Sequence, residues 1–82
     1  MNLEVLKEFL AEDADIQVRR LLLAAIREGL ESNSSGAREF TFNRFSVTLD
    51  FSTKQVMIED DLTVGLEGEY RLGMTEFKEV LQ

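Results

Sequence analysis

Phe45-Ser46-Val47-Thr48-Leu49-Asp50-Phe51 alternates apolar and polar residues without a break, the period of a strand that buries one face and leaves the other in solvent. The pattern repeats downstream. Val56 and Ile58 alternate with Gln55, Met57 and Glu59, and Leu66, Gly68, Tyr70 and Leu72 alternate with Glu67, Glu69 and Arg71. Ser52-Thr53-Lys54 and Asp60-Asp61 supply turn chemistry between these runs, so an antiparallel meander is the simplest connection. Upstream, Phe40 and Phe42 form a further alternating piece, but the odd step from Phe42 to Phe45 would put them on opposite faces of one straight strand. A two-residue turn at Asn43-Arg44 makes four strands; a bulge there keeps three and re-aims the side chains. The turn is the preferred reading.

The other elements are helical. Leu3, Val5, Leu6, Phe9 and Leu10 recur at helical spacing, with Glu4, Lys7 and Glu8 opposite, which predicts an amphipathic helix over residues 2–12. Glu12-Asp13-Ala14-Asp15 then interrupts the pattern. Asp13 or Asp15 can accept from the free amides of a second helix running to about Glu31. On a wheel, its apolar residues Ile16, Val18, Leu21, Leu22, Leu23, Ala25, Ile26 and Leu30 span about 220°, roughly twice the stripe of an ordinary surface helix, with Arg19 set among them. Ser32-Asn33-Ser34-Ser35-Gly36 reads as a loop too short to link domains. Thr75 is placed to cap a closing helix in which Met74, Phe77, Val80 and Leu81 face inward. The fold class is α+β: two N-terminal helices, an antiparallel meander of three to four strands and a short C-terminal helix, in two layers and in one domain spanning residues 1–82.

The 82 residues, 44% apolar and 30% charged, suit one folded core rather than a disordered chain. The start, Met1-Asn2-Leu3-Glu4, has no basic leader, and the longest apolar run, Leu21 to Ile26, is far short of the roughly 20 residues that cross a bilayer. A cytoplasmic location, without membrane association, is expected. Nine basic and 16 acidic residues leave a net charge of −7, which opposes binding to nucleic acid or to anionic membranes. The charge is uneven: residues 1–15 carry −4, residues 16–58 carry +2 and residues 59–82 carry −5.

The chain has no histidine and no cysteine, so it cannot build a Ser-His-Asp triad, a thiol nucleophile or an imidazole or thiolate metal site. Its glycines, at 29, 36, 65, 68 and 73, fit neither phosphate-binding fingerprint. A calcium loop read from Asp50 fails, since Gln55 stands where that loop needs glycine. Glu59, Asp60 and Asp61 suggest hard-cation chemistry or, with Glu67 or Glu69 across a hairpin, an acid/base pair, but a solvated acidic turn is the preferred reading. Arg38 to Phe45 places a base and three aromatic rings at the spacing of a nucleobase-stacking strand, but Glu39, Thr41 and Asn43 occupy the positions that such strands fill otherwise, so core packing is the preferred role.

These exclusions point to a noncatalytic protein–protein binding module needing no cofactor. The candidate surface is the extra flank of the second helix, where Arg19, Arg20 and Arg27 rim Leu23 and Leu30, a composition common at interfaces. Arg27 and Glu31 also fit a simple surface ion pair. The partner would be another protein or a second copy of the chain, docking on this flank or on an open edge of the meander. A small carboxylate-dependent or metal-assisted enzyme, and a structural homo-oligomer subunit, are the alternatives.

Overall fold

The computed structural model describes residues 3–33, 35–63 and 68–82. Helices α1 (Leu3–Glu12) and α2 (Ile16–Glu31) are followed by strands β1 (Ala37–Thr41), β2 (Phe45–Asp50), β3 (Gln55–Asp60) and β4 (Glu69–Gly73), and helix α3 (Met74–Leu81) closes the chain. The strands form one antiparallel sheet in the order β1-β2-β3-β4. The α+β meander is therefore four-stranded, and Asn43-Arg44 is a turn rather than a bulge. Leu66 and Glu67, where the alternation began the last strand, lie outside the described residues, as do Asn2 and Ser34.

The register fixes the faces. Phe40 pairs with Val47, Val47 with Ile58 and Ile58 with Tyr70, so the row Phe40-Val47-Ile58-Tyr70 shares the inner face with Leu49, Val56 and Leu72. Glu39, Thr48, Met57 and Arg71 form a row on the outer face. α1 and α3 pack on the inner face over β3 and β4, and α2 packs against α3. One core results, built from Val5, Leu6 and Phe9 of α1, Leu22, Ala25 and Ile26 of α2, the inner residues of the sheet, and Met74, Phe77 and Leu81 of α3. Phe9 sits at its centre, edge-on to Phe45 and stacked on Phe77.

One expected cap is kept and one is replaced. Asp15 caps α2, its carboxylate accepting from the Val18 N–H at 2.8 Å. α3 begins before Thr75: Gly73 is its N-cap, and the Glu76 carboxylate accepts the Gly73 N–H at 3.1 Å. Asp13 has another role. Its Oδ2 accepts the backbone N–H of Arg44 at 2.9 Å and of Phe45 at 2.8 Å, so a carboxylate at the end of α1 holds the β1–β2 turn. In that turn Phe42 donates to the Phe45 carbonyl at 2.9 Å, while the N–H of Phe45, which would return the bond in a closed two-residue hairpin, goes to Asp13 instead.

Gly29, inside α2, packs against Phe51, which follows β2. A Cβ there would lie 2.2 Å from Cε1 and Cζ of Phe51, whose ring is buried. The turn after Phe51 relies on Asp50, which accepts from Ser52 and Thr53, and on Lys54 in the left-handed region at φ 59°.

Two substitutions test this architecture. Asp13→Ala leaves the buried Phe45 N–H without a partner and should lower unfolding free energy by about 2 to 3 kcal/mol, against about 1 kcal/mol for removal of the Asp15 cap, measured by urea denaturation. Gly29→Ala would stabilise an exposed helix by about 1 kcal/mol, but here it should destabilise by about 1 to 3 kcal/mol because the buried Phe51 ring must move.

Candidate functional site

α2 carries more apolar surface than its neighbours cover. Leu22, Ala25 and Ile26 are buried, while Leu30 is 37% exposed, Leu21 46% and Ile16 63%. On the helix, Leu21 lies on one flank of the buried stripe and Ile16, Leu23 and Leu30 on the other. The second flank meets α3 to form a groove of about 360 Å³ lined by Leu23, Arg27, Leu30 and Glu31 of α2 and by Lys78 and Gln82 of α3 and its end. Arg27 pairs with Glu31 at 3.9 Å, but both side chains are about three-quarters exposed, so the pair holds Arg27 only loosely.

The five residues singled out from the sequence thus separate. Leu23, Arg27 and Leu30 line the groove, and Arg20 is an exposed residue on the same side of α2. Arg19 turns inward. Its Nε donates to the Ala14 carbonyl at 2.8 Å, Nη1 to the Val80 carbonyl and Nη2 to the Leu10 carbonyl, both at 3.4 Å. These last two are carbonyls in the final turns of α3 and α1, where a cation suits the negative end of the helix dipole. Arg19 therefore ties three helices together, which explains a base set among apolar positions.

The carboxylates proposed for acid/base or metal chemistry are divided between the faces of the sheet. Asp60 faces inward and is buried against Arg44, with Nε to Oδ1 at 3.1 Å and Nη2 to Oδ2 at 2.7 Å. It also accepts from the Leu62 N–H and the Thr63 hydroxyl. The Arg44 hydrogen bonds, opposed by burial and aided by the Leu62 and Thr63 donors, hold the Asp60 carboxyl down at about 2. Asp61 accepts from the Ser46 hydroxyl at 2.8 Å on the outer face, which buries Ser46 where the alternation had placed it in solvent. Glu59, also on the outer face, has its carboxyl raised, first by burial and then by Glu69, Glu39 and Asp61. Glu67 lies outside the described residues. Among the described residues, no group of three or more acidic side chains could hold a metal ion.

Arg44 is the residue that sequence reasoning missed. It also pairs with Glu12 at 2.7 Å and Glu8 at 2.8 Å on α1, and its guanidinium lies 4.9 Å from the centre of the Phe45 ring. Its pKa is raised, chiefly by the Asp60 hydrogen bond. The position of Arg44 in a turn, next to Asn43, was the only signal, and a turn arginine is ordinarily solvated. Of the aromatic series, Phe45 is buried and Phe40 stacks on Phe42, so the rings belong to the inner face.

A second depression, of about 250 Å³, lies on the outer face of the sheet among Thr48, Asp50, Thr53, Gln55, Met57 and Arg71. It combines one base with mainly uncharged side chains. Among the described residues, no helix is long and apolar enough to cross a membrane. Comparison with protein-family models, curated proteins and solved structures finds no match to this chain.

Among the shifted carboxylates, Asp60 and Glu59 predict opposite pH effects. Asp60 holds its charge to about 2 when folded, against 3.8 when unfolded, so its contribution is complete above pH 3.8 and lost as pH falls through about 2. Asp60→Asn should remove that contribution, leaving a flatter stability profile over this window. For Glu59 the folded pKa lies above the unfolded 4.5, so the neutral carboxyl favours the fold below 4.5 and that advantage is lost as pH rises through the folded value. Glu59→Gln should therefore raise Tm at pH 7 and have a smaller effect in acid, a difference readable by thermal unfolding at several pH values.

Proposed function

We propose that this protein is a noncatalytic binding module that holds a segment of another protein in the groove between α2 and α3. The observation that carries this reading is the composition of the groove: Leu23 and Leu30 share its lining with two bases, Arg27 and Lys78, and one acid, Glu31. Apolar surface rimmed by bases suits a segment with apolar anchors and acidic neighbours, such as one face of an amphipathic helix. The groove lining is net positive, two bases against the one acid Glu31, although the whole chain has net charge −7, so the attraction is confined to this site. The absence of histidine and cysteine from the sequence supports a binding role over a hydrolytic or redox one.

The carboxylate-dependent reading has less support. Asp60 is engaged by Arg44, Leu62 and Thr63, and its low pKa makes it a poor base near neutral pH. Binding by charge and burial is what the groove offers.

The test is affinity capture from lysate of the native host, comparing the natural chain with the double variant Leu23→Glu, Arg27→Glu. A protein retained by the natural chain should be lost from the variant, with affinity reduced at least about tenfold and the circular dichroism spectrum unchanged. Retention of the same protein by the folded double variant would remove the groove as the binding site.

A further inference from the structure

The outer edge of β1 is open and has a self-complementary pattern. Phe42 donates to Phe45, and Phe51 donates to Gly36. In an antiparallel ladder these bonds alternate along the strand, so residues 36, 38, 40 and 42 face β2 with their backbone polar groups. The N–H and C=O groups of Ala37, Glu39 and Thr41 consequently point away from the sheet. No other backbone or side-chain bond to them occurs among the described residues. Glu39 and Thr41 are exposed, and Phe40 is only half-buried.

We infer that β1 is a self-association edge, pairing antiparallel with β1 of a second copy about a two-fold axis through Phe40 and joining two sheets into one of eight strands. Hydrogen-bond parity and charge together select this register. With the axis at Phe40, Glu39 and Thr41 exchange backbone bonds with the partner's Thr41 and the partner's Glu39, using the groups that point outward. Phe40 then faces the partner's Phe40 as a non-hydrogen-bonded pair, where side chains approach most closely. Arg38 faces the partner's Phe42. Within each copy Arg38 already lies over the Phe40 ring at 5.2 Å, and Phe40 stacks on Phe42 with planes 4° apart, so the inner face of this edge is a ladder of two rings and a cation.

The registers centred nearer the start of β1 fail on charge. An axis at Arg38 opposes Arg38 to the partner's Arg38, and an axis at Glu39 opposes two carboxylates. The two charged residues of β1, which discourage indiscriminate edge pairing, thereby leave one interior register open. This surface is distinct from the groove between α2 and α3, so self-association and capture of another protein are separable.

Sedimentation equilibrium across a concentration series tests the inference. The mass should rise from 9.4 kDa toward twice that value, with the dimer favoured by added salt because each copy carries net charge −7. Glu39→Pro removes an outward N–H that the β1–β2 ladder does not use, and it should give a folded monomer. Arg71→Pro, the equivalent change on β4, and the double variant Leu23→Glu, Arg27→Glu should leave the dimer intact. Single cysteines in this cysteine-free chain read the register without proline: under mild oxidation Phe40→Cys should cross-link to a dimer, while Glu39→Cys and Arg38→Cys should not. A monomer at millimolar concentration, a dimer that survives Glu39→Pro, or a dimer abolished by the β4 or groove variants would each overturn the inference, as would cross-linking at position 39 or 38 in preference to 40.

Discussion

The architecture depends on one contact between layers, in which Arg44 of the β1–β2 turn is grasped by Glu8 and Glu12 of α1 and by Asp60 of β3. A guanidinium with three carboxylates around it would be a costly burial if any carboxylate were removed from water alone. Here the Asp60 oxygens are further satisfied by Leu62 and Thr63, and the base keeps partial contact with solvent. Asp13 adds a second hold on the same turn through two backbone amides. The charged groups define where α1 lies along the sheet, and Phe9, Phe45 and Phe77 fill the space that this placement leaves.

Arg19 has the corresponding role on the helical side. Its three donors reach carbonyls near the ends of α1 and α3 from a position in the first turns of α2. With Arg19 and Arg44 both engaged, the middle of the chain is less basic toward solvent than its composition implies. Arg20, Arg27 and Lys78 remain as positive groups on the α2–α3 side, which is why the groove, with Glu31 as the one acid of its lining, is net positive on an acidic protein.

Periodicity made the elements legible. The two-residue alternation located β2 and β3, the odd step from Phe42 to Phe45 located a turn, and helical spacing located all three helices. Local chemistry was less secure where two solutions were equivalent in sequence. Asp13 and Asp15 are both adequate caps, and only the approach of the β1–β2 turn distinguishes them; Thr75 lost its expected role because the Glu76 carboxylate could reach back to Gly73. Contacts across layers were not legible. Nothing near Arg44 in sequence announces Glu8 or Asp60, and Gly29 looks like a poor helix residue until Phe51 is placed against it. The groove was partly foreseen, since the breadth of the apolar arc on α2 marked Leu23 and Leu30, but the wall supplied by Lys78 depends on how α3 packs.

The β1–β2 turn has an uncommon division of labour, because one of its own closing hydrogen bonds is replaced by the Asp13 carboxylate, just past the end of α1 and more than thirty residues earlier. A hairpin that needs a group from another layer gains little by forming alone. The same replacement makes completion of the sheet and docking of α1 a single event, favouring all-or-none folding over a stable isolated meander. It also gives the Phe45 amide an unusual meaning in hydrogen exchange: although it sits at the start of a strand, its protection reports separation of the helical layer from the sheet rather than fraying of the strand itself.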